Sequence, residues 1–302
     1  MNKYVKEING IRTEIIESHG VGIPVFIFHG NSSGASAYVD LLQSEVGDTY
    51  RLIAVSFPGH GESAYYREDV AEVTIEKLGE FTVDVVNSFG FDKYVLIGQS
   101  LGGHALLESL PAHSNAAGLV LVSSPPIALS RLGDAFLADP TDGLLFKGEL
   151  SEQECARFGK AFVQTGSIDK LQELITLIES THPQFREQLG AGLGAGKVLD
   201  EVALLKQSDL PCLMLKGEFD RFLNSAYYDT LLNDDKIKAD VITFPGAGHA
   251  IQVDLPTAFE VVVGQFIANV TSANVSKPAV ASSQEPHELQ ESHESHEVHV
   301  NG

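Results

Sequence analysis

The fold of this 302-residue chain is indicated most clearly by the segment Tyr94-Val95-Leu96-Ile97-Gly98-Gln99-Ser100-Leu101-Gly102-Gly103. Four apolar residues, typical of a buried strand, lead into the glycine-flanked serine, and a helical pattern follows from Leu101 to Leu110. This strand–turn–helix context is the one in which a G-x-S-x-G motif forms a nucleophile elbow. The elbow holds a serine oxygen at the N-terminus of a helix, whose partial positive charge favours an oxyanion. We therefore predict that Ser100 is a nucleophile.

Short apolar runs alternate with longer helical patterns on both sides of this segment. Runs that are apolar throughout are typical of strands buried on both faces of a parallel sheet, and they occur at 25–28, 52–55, 119–122 and 212–215. With helical patterns such as 74–89 between them, they predict a mostly parallel, doubly wound α/β sheet. The first two segments, 4–8 and 12–17, alternate apolar and polar residues around Asn9-Gly10, which predicts an antiparallel hairpin.

The alternation stops between Pro125 and Leu210. Helical patterns at 152–163 and 168–180 fill this stretch, followed by a glycine-rich run at 190–196. A helical insertion between two core strands predicts a cap over a site. We therefore predict an α/β core in two parts, 1–125 and 209–270, with a helical cap at 126–208 between them. The segment 271–302 lacks apolar periodicity and is predicted to be a disordered acidic, His-rich tail.

The predicted nucleophile needs a base and an acid. A serine hydroxyl is a poor nucleophile without a base, and His249 is the best placed of eleven histidines, since it follows the strand pattern at 241–244 through a Pro-Gly-Ala-Gly loop. The imidazole needs an acceptor to fix its tautomer. Asp220, three residues after Gly217, is the preferred acid, and Glu218 is its competitor. The order Ser, Asp, His along the chain is that of α/β-hydrolases.

An oxyanion formed at the serine needs two hydrogen-bond donors. The backbone N–H of Leu101, directly after the nucleophile, is the first. The second is expected from the loop His29-Gly30-Asn31-Ser32-Ser33-Gly34, with the N–H of Asn31 as the candidate. The Asn31 side chain has two open roles, which are binding substrate and holding the loop.

Further side chains are weaker candidates for substrate contacts. His29 and Ser32 belong to the same loop as Asn31. Apolar residues of the predicted cap either receive an acyl chain or only hold the cap on the core: Leu144, Leu145, Phe146, Phe158 and Phe162. Of the remaining histidines, we expect His60 to brace loops and His104 to pack or hydrogen-bond after the elbow, with the others solvated: His19, His113 and His182.

Composition excludes several classes of partner. The formal net charge is −21, and such a surface repels phosphate backbones and anionic membranes, so we predict no nucleic-acid or membrane partner. Two cysteines are too few for a disulfide framework, and Cys212 lies in an apolar run where a buried thiol is expected. Without an apolar signal core or a membrane-length run, the prediction is a cytoplasmic protein.

The sequence also predicts no metal and no cofactor. Four tail histidines could chelate a metal loosely: His287, His293, His296 and His299. Their spacing is not that of a His-Glu-x-x-His motif, so a catalytic metal site is not predicted.

Taken together, His29-Gly30, Pro58-Gly59-His60-Gly61-Glu62-Ser63, Gly98 to Gly103 and Gly246 to His249 resemble the α/β-hydrolase superfamily over about residues 10 to 270. A narrower resemblance is to the N-acyl-homoserine lactonases of that fold, which open the lactone ring of bacterial quorum signals without a metal. It is carried by the stretches His29 to Ser33, Ser100 to His104 and Ser124-Pro125-Pro126.

This resemblance implies a triad of Ser100, Asp220 and His249, with Asn31 and Leu101 forming the oxyanion hole. Haloalkane dehalogenases and epoxide hydrolases need an aspartate at the elbow, where this chain has Ser100. Metal-dependent lactonases need a His-x-His-x-Asp-His cluster, which the sequence lacks.

The leading hypothesis is hydrolysis of a small-molecule carboxylic ester or lactone through an acyl-enzyme, with N-acyl-homoserine lactones as the preferred substrates. A general carboxylesterase and a carbon–carbon bond hydrolase are alternatives of the same fold. The latter acts on carboxylates, which usually meet an arginine, and Arg131, Arg157 and Arg186 are available. A ligand-binding receptor on a hydrolase fold is the alternative from a different class.

Overall fold

A computed structural model of the chain describes residues 1–66 and 72–272. Its strands are β1 (Asn2–Ile8), β2 (Ile11–Glu17), β3 (Pro24–Phe28), β4 (Arg51–Val55), β5 (Tyr94–Gln99), β6 (Ala116–Val122), β7 (Cys212–Gly217) and β8 (Ala239–Phe244). They form one sheet in the order β1-β2-β4-β3-β5-β6-β7-β8. The first two strand pairs in this order are antiparallel and the others are parallel, which confirms the predicted sheet.

The predicted hairpin forms at the N-terminal edge of the sheet. Asn9 and Gly10 have φ values of 49° and 79°, and Ile8 pairs with Ile11. Two successive residues with positive φ match the twist of the strands that they join, and Asn-Gly is the pair best suited to this turn.

The central parallel strands are largely apolar because they carry a core on each face, whereas the edge strand β8 is mostly exposed. In β3, Val25 and Ile27 face one hydrophobic core, whereas Phe26 and Phe28 face the other. Successive side chains of a strand point to opposite faces, so a strand covered on both faces needs apolar residues at every position.

Helices cover both faces of the sheet. On the face of Phe26, α3 (Ile75–Phe89) and α4 (Leu101–Glu108) bury apolar residues, and on the other face α1 (Val39–Leu42), α2 (Glu45–Thr49) and the C-terminal α12 (Pro256–Ser272) do so. The side chain of Thr74 accepts a hydrogen bond from the N–H of Lys77, and Gly90 ends α3 with a φ of 67°. These two residues set the bounds of α3, because a capping hydroxyl starts a helix and a left-handed glycine ends it.

The chain between β6 and β7 is helical. It contains α5 (Leu132–Ala135), α6 (Glu152–Phe162), α7 (Ile168–Ser180), α8 (Pro183–Gly194) and α9 (Glu201–Lys206). The glycine-rich run 190–196 is largely helical, since α8 continues to Gly194 before the chain turns at Gly196, whose φ is 71°. We call residues 123–211 the insertion.

The chain after β7 carries α10 (Ser225–Leu232) and α11 (Ile251–Asp254). The predicted tail at 271–302, with its four histidines, lies outside the described residues from position 273 onward. Among the helices that the structure describes, none has the length and apolar character to cross a bilayer.

Two histidines that were predicted to be solvated are not. His182 is half-buried, and its ring stacks on that of Tyr65 with centroids 4.0 Å apart. His113 is not solvated but 3% exposed, with its ring nitrogens 3.1 Å from Thr82 Oγ1 and 3.2 Å from Tyr94 Oη. Burial lowers the pKa of this imidazole to about 4, so the ring is neutral at pH 7. Both partners lie on other elements, α3 and β5, so the residues next to His113 in the sequence give no sign of them.

Candidate active site

Ser100 lies at the junction of β5 and α4 in a backbone conformation that few serines adopt. Its φ is 49° and its ψ is −117°. The conformation is held by three backbone hydrogen bonds, from the Ser100 N–H to Val122 O (2.9 Å) and from the N–H groups of Gly103 and His104 to Ser100 O (2.9 and 3.1 Å). Residues kept in such regions cost about 1–3 kcal/mol, and they cluster at functional sites.

The glycines of the motif allow the helix to approach the strands. A Cβ atom on Gly98 would lie 2.6 Å from the Cα of Gly103, and one on Gly102 would overlap the backbone carbonyl of Phe28. Both contacts involve backbone atoms that cannot move aside. The motif therefore needs glycine at these positions to bring Ser100 to the end of β5.

His249 is held by Asp220. The His249 Nδ1 lies 2.7 Å from Asp220 Oδ2, and the two side chains are only 3% and 4% exposed. The other carboxylate oxygen, Oδ1, accepts hydrogen bonds from the backbone N–H groups of Phe222 (2.9 Å) and Leu223 (3.3 Å). With both carboxylate oxygens occupied, Nδ1–H is the donor, and Nε2 is left to accept a proton.

The competing acid lies elsewhere. Glu218 is exposed, and its Oε2 accepts a hydrogen bond of 2.9 Å from the backbone N–H of Gly246. It therefore ties the strand end to the loop that carries His249, while Asp220 contacts the imidazole itself.

Ser100 and His249 line the same cavity. The rings of Phe162 and Phe222 pack against the imidazole, with centroids 5.3 and 4.8 Å from it. Among the described residues, none forms a hydrogen bond with the Ser100 hydroxyl, His249 included. Catalytic hydrogen bonds are often long before substrate binds and tighten in the complex. The lack of a direct hydrogen bond is therefore compatible with a serine–histidine pair.

The loop opposite the elbow is fixed through its side chains. Asn31 Nδ2 donates to the carbonyl of Leu145 (2.8 Å), and Ser32 Oγ donates to Asn31 Oδ1 (3.1 Å). The Asn31 side chain thus ties the loop to the insertion. Neither its backbone N–H nor that of Leu101 donates to another described residue, so both remain available to an oxyanion.

His29 and His60 support this loop from behind. His29 Nδ1–H donates to Gly30 O (2.7 Å), and its Nε2 accepts from the N–H of Phe57 (2.9 Å). The ring is fully buried, which lowers its pKa to about 4. His60 Nε2 accepts from the N–H of Ser32 (3.3 Å), as expected of a brace. Because both nitrogens of His29 are occupied and the ring has no exposed face, His29 is not a substrate contact.

The cavity has a volume of about 360 Å³ and is mostly apolar. Its polar lining comes from Asn31, Ser100, His104, Asp139 and His249. The apolar lining comes from both the core and the insertion: Ile75, Leu101, Ile127, Leu132, Phe136, Leu137, Leu145, Phe146, Phe162, Leu189, Leu193 and Phe222. Two larger surface grooves, of about 900 and 780 Å³, contain neither Ser100 nor His249.

Four candidates for substrate contacts lie outside this cavity: His29, described above, and Ser32, Leu144 and Phe158. Phe158 is completely buried, and its ring packs 5.1 Å from that of Phe162, which does line the cavity. Periodicity placed both on the apolar face of α6 but did not tell which one reaches the cavity. Ser32 also lies behind the lining, where its Oγ accepts a hydrogen bond of 3.3 Å from Arg186. Leu144 is buried away from the cavity as well.

None of the three candidate arginines lines the cavity. Arg186 is 2% exposed and donates to the backbone carbonyls of Lys147, Gly148 and Ile178. Arg131 pairs with Asp134, and Arg157 lies 3.6 Å from Asp142. The side chains of Arg131 and Arg157 are 39% and 52% exposed. The cavity wall consequently offers no guanidinium to a carboxylate.

Glu201 contacts a residue of the cavity wall, a role that the sequence did not indicate. Glu201, at the start of α9, is completely buried, and both its carboxylate oxygens lie 3.0 Å from His104 Nδ1. The two residues are 97 positions apart, and no motif links them. Within the described ranges, no cluster of three or more histidine, cysteine or acidic side chains is arranged to hold a metal ion.

The chain is similar to known proteins over most of its length. The model of the alpha/beta hydrolase family matches residues 25–261. A curated relative, 2-hydroxymuconate semialdehyde hydrolase from Pseudomonas sp. (strain CF600), is 25% identical over 280 residues, which cover 88% of this chain and 94% of that protein.

Solved structures share the fold. A serine-to-glycine mutant of the N-acyl homoserine lactonase AidH, complexed with N-hexanoyl homoserine lactone, superposes with a TM-score of 0.81 at 24% identity, covering 90% of this chain and 99% of that one. An esterase from Exiguobacterium antarcticum superposes with a TM-score of 0.75 at 19% identity, covering 90% and 100% of the two chains.

Proposed function

Because this chain belongs to the alpha/beta hydrolase family, we propose that it is a serine hydrolase that opens the ring of N-acyl homoserine lactones. The observation that carries the proposal is the apolar cavity of about 360 Å³ with Ser100 and His249 in its wall. A lactone carbonyl placed between these two side chains would leave the acyl chain among the apolar residues of the insertion. The fold shared with AidH, which was crystallised with such a lactone, supports this choice of substrate.

The reaction begins with proton transfer and attack. His249 Nε2 takes the proton of the Ser100 hydroxyl as Oγ bonds to the lactone carbonyl carbon, and Asp220 stabilises the resulting imidazolium. The backbone N–H groups of Asn31 and Leu101 donate to the oxyanion, each contributing about 3 kcal/mol of barrier lowering.

Collapse of the tetrahedral intermediate breaks the ring C–O bond. His249 gives its proton to the departing alkoxide, which stays attached to the acyl part because it belonged to the ring. His249 then removes a proton from water, and the hydroxide attacks the acyl-enzyme. Collapse of this second intermediate breaks the bond between the acyl carbon and Ser100 Oγ, which takes the proton back from His249. The products are N-acyl homoserine and free Ser100, so one water is consumed for each ring opened.

The wall of the cavity favours an uncharged substrate. Its lining contains no lysine or arginine, and the chain has a formal net charge of −21. A lactone is neutral, whereas the carboxylate substrates expected of a carbon–carbon bond hydrolase would meet no lysine or arginine, and the charge of a protonated His104 is already balanced by Glu201. The cavity volume lies near the lower end of the range of about 300–1,000 Å³ typical of ligand sites, which favours short or medium acyl chains.

The test is a substrate panel. Purified protein is incubated with N-butanoyl, N-hexanoyl and N-dodecanoyl homoserine lactone and with p-nitrophenyl esters of matching acyl length, with and without EDTA. Because ring opening releases a proton at neutral pH, a pH indicator follows it directly, and chromatography identifies the open acid.

We expect turnover of the hexanoyl lactone, unchanged by EDTA and absent in Ser100→Ala. A general carboxylesterase is the second candidate, since an apolar wall accepts the acyl chain of an ester equally well. Ester hydrolysis without opening of any of the three lactones would reject the lactonase function in favour of that candidate.

A further inference from the structure

Two polar side chains in the cavity wall, Asp139 and His104, have no role in this mechanism, and the Asp139 carboxylate is already occupied by hydrogen bonds from Thr141 and Gly143. His104 lies one turn after Ser100 on α4 and lines the cavity. Its Nδ1 contacts Glu201, whereas its Nε2 forms no hydrogen bond within residues 1–66 and 72–272. The side chain retains 9% exposure, although the residue lies at the centre of the fold. The exposed edge of the ring therefore faces the cavity.

The ring is held in this orientation by a buried carboxylate. Glu201 Oε2 also accepts a hydrogen bond from the N–H of Ile127 (2.9 Å), and the Glu201 N–H donates to Ile127 O (2.8 Å). The carboxylate thus has a fixed place between α9 and the chain that follows β6. A partner on Nδ1 determines the proton position on the other ring nitrogen, so Glu201 sets what Nε2 presents to the cavity.

The charges around His104 favour its protonated form. Burial lowers the pKa of His104, but the charge of Glu201 and the hydrogen bond to it more than offset burial, and the pKa is raised. Burial raises the pKa of Glu201 as well, so the pair keeps the proton that it shares. An imidazolium has N–H donors on both ring nitrogens, so Nε2 becomes a donor in an otherwise apolar part of the wall.

We propose that His104 is a specificity-determining residue whose Nε2–H donates a hydrogen bond to an amide carbonyl of the substrate next to the attacked carbonyl. The inference rests on the proposed acyl-enzyme chemistry at Ser100. Residues four apart on a helix are separated by about 6 Å along its axis. In an N-acyl homoserine lactone the amide is attached to the carbon beside the lactone carbonyl, and its oxygen is separated from the attacked carbon by only a few bonds, a span comparable with this rise.

This contact would select against substrates without the amide. A substrate with an alkyl chain in that place would leave the imidazolium without an acceptor, and leaving a buried charged donor unpaired is unfavourable. Sites built to hydrogen-bond a polar group discriminate strongly against analogues that lack it.

Two matched substrate pairs test the inference. The first is N-hexanoyl homoserine lactone against α-heptyl-γ-butyrolactone, and the second is p-nitrophenyl N-pentanoylglycinate against p-nitrophenyl octanoate. Within each pair the chains have the same length, and only one compound carries the amide. The readout is the ratio of kcat/KM for the amide compound to that for the alkyl compound.

In the unsubstituted protein we expect this ratio to favour the amide compound. His104→Leu should lower kcat/KM for the amide compounds about 10- to 100-fold, the effect of losing a hydrogen bond to a charged group, and for the alkyl compounds less than about 3-fold. Since His104→Leu leaves Glu201 unpaired, Glu201→Gln provides a second variant that keeps the ring but removes its charge partner. Glu201→Gln should also lower the ratio of kcat/KM for the amide compound to that for the alkyl compound.

The matched control is His113→Gln, which alters another buried histidine that does not line the cavity. It should leave the ratio unchanged. Equal losses on both members of a pair in the His104 and Glu201 variants would mean that the two residues only support packing, and would overturn the inference. A protein without preference for the amide compounds would also overturn it. If neither lactone is opened, the lactonase function fails, while the ester pair still tests His104 separately; inactivity on all four compounds would reject both.

Discussion

Replacement of Asp220 by asparagine separates the candidate acid from its competitor. In the structure, Asp220 Oδ1 accepts two backbone N–H groups and Oδ2 accepts His249 Nδ1–H. An asparagine would keep its Oδ1 toward the backbone donors, which would turn its NH₂ group toward Nδ1. The histidine would then have to accept at Nδ1 and carry its proton on Nε2, where it could no longer take the proton of Ser100.

The expected magnitude follows from this change of tautomer. The corresponding substitution in a serine protease triad lowers kcat about 10⁴-fold, which is about 5.5 kcal/mol of transition-state stabilisation. We expect a loss of this order for Asp220→Asn, because its side chain is only 4% exposed and water cannot replace the carboxylate. Glu218→Gln is the matched control: its amide oxygen can still accept from the N–H of Gly246, so turnover should change less than about 3-fold.

Steady-state rates on the hexanoyl lactone and on a p-nitrophenyl ester measure both variants, with circular dichroism to confirm that each is folded. If Glu218→Gln lost most of its activity while Asp220→Asn kept a tenth or more, the acid would have to be reassigned to Glu218.

Three further predictions concern the frame around the site. Gly102→Ala should lower the melting temperature by several degrees, because the new methyl group would overlap the carbonyl of Phe28; an unchanged melting curve would refute the close approach of α4. Burial raises the pKa of Glu108 to about 7, so the neutral acid is favoured in the folded state, and stability should fall as pH rises from about 4.5 through 7. Glu108→Gln, which can still accept from the N–H of Leu199, should reduce that fall by about 1–3 kcal/mol in urea titrations, and an identical pH profile would contradict it. Truncation after Ser272 should leave activity and melting temperature unchanged, since the composition of the removed segment predicts disorder; a drop of several degrees would show that it stabilises the body.

Local sequence patterns predicted the sheet and the elbow well. Each apolar run of four or five residues became a buried strand, because a parallel strand with two covered faces leaves no position for a polar side chain. Asn9-Gly10 and the glycines around Ser100 were equally informative, since each satisfies a local backbone requirement that few other residues can meet. The placement of His249 and Asp220 followed from strand order, as both come directly after neighbouring parallel strands.

Features that depend on distant contacts were not predictable in this way. The apolar face of α6 contains both Phe158 and Phe162, and only the packing of α6 on the core decides which one reaches the cavity. His113 has the polar sequence neighbours of a surface residue, but its partners belong to other elements. The pairing of His104 with Glu201 joins two helices far apart in the chain, and neither residue carries a local signal of it.

Covalent labelling shows whether Ser100 is a nucleophile that His249 activates. The intact protein is treated with a fluorophosphonate at neutral pH, and the modified residue is located by peptide mass spectrometry. We predict one phosphonyl group per chain, on Ser100, with labelling abolished in Ser100→Ala and strongly slowed in His249→Ala. A folded protein that stays unlabelled, or that is labelled at another residue, would contradict the account and favour a ligand-binding role for the fold.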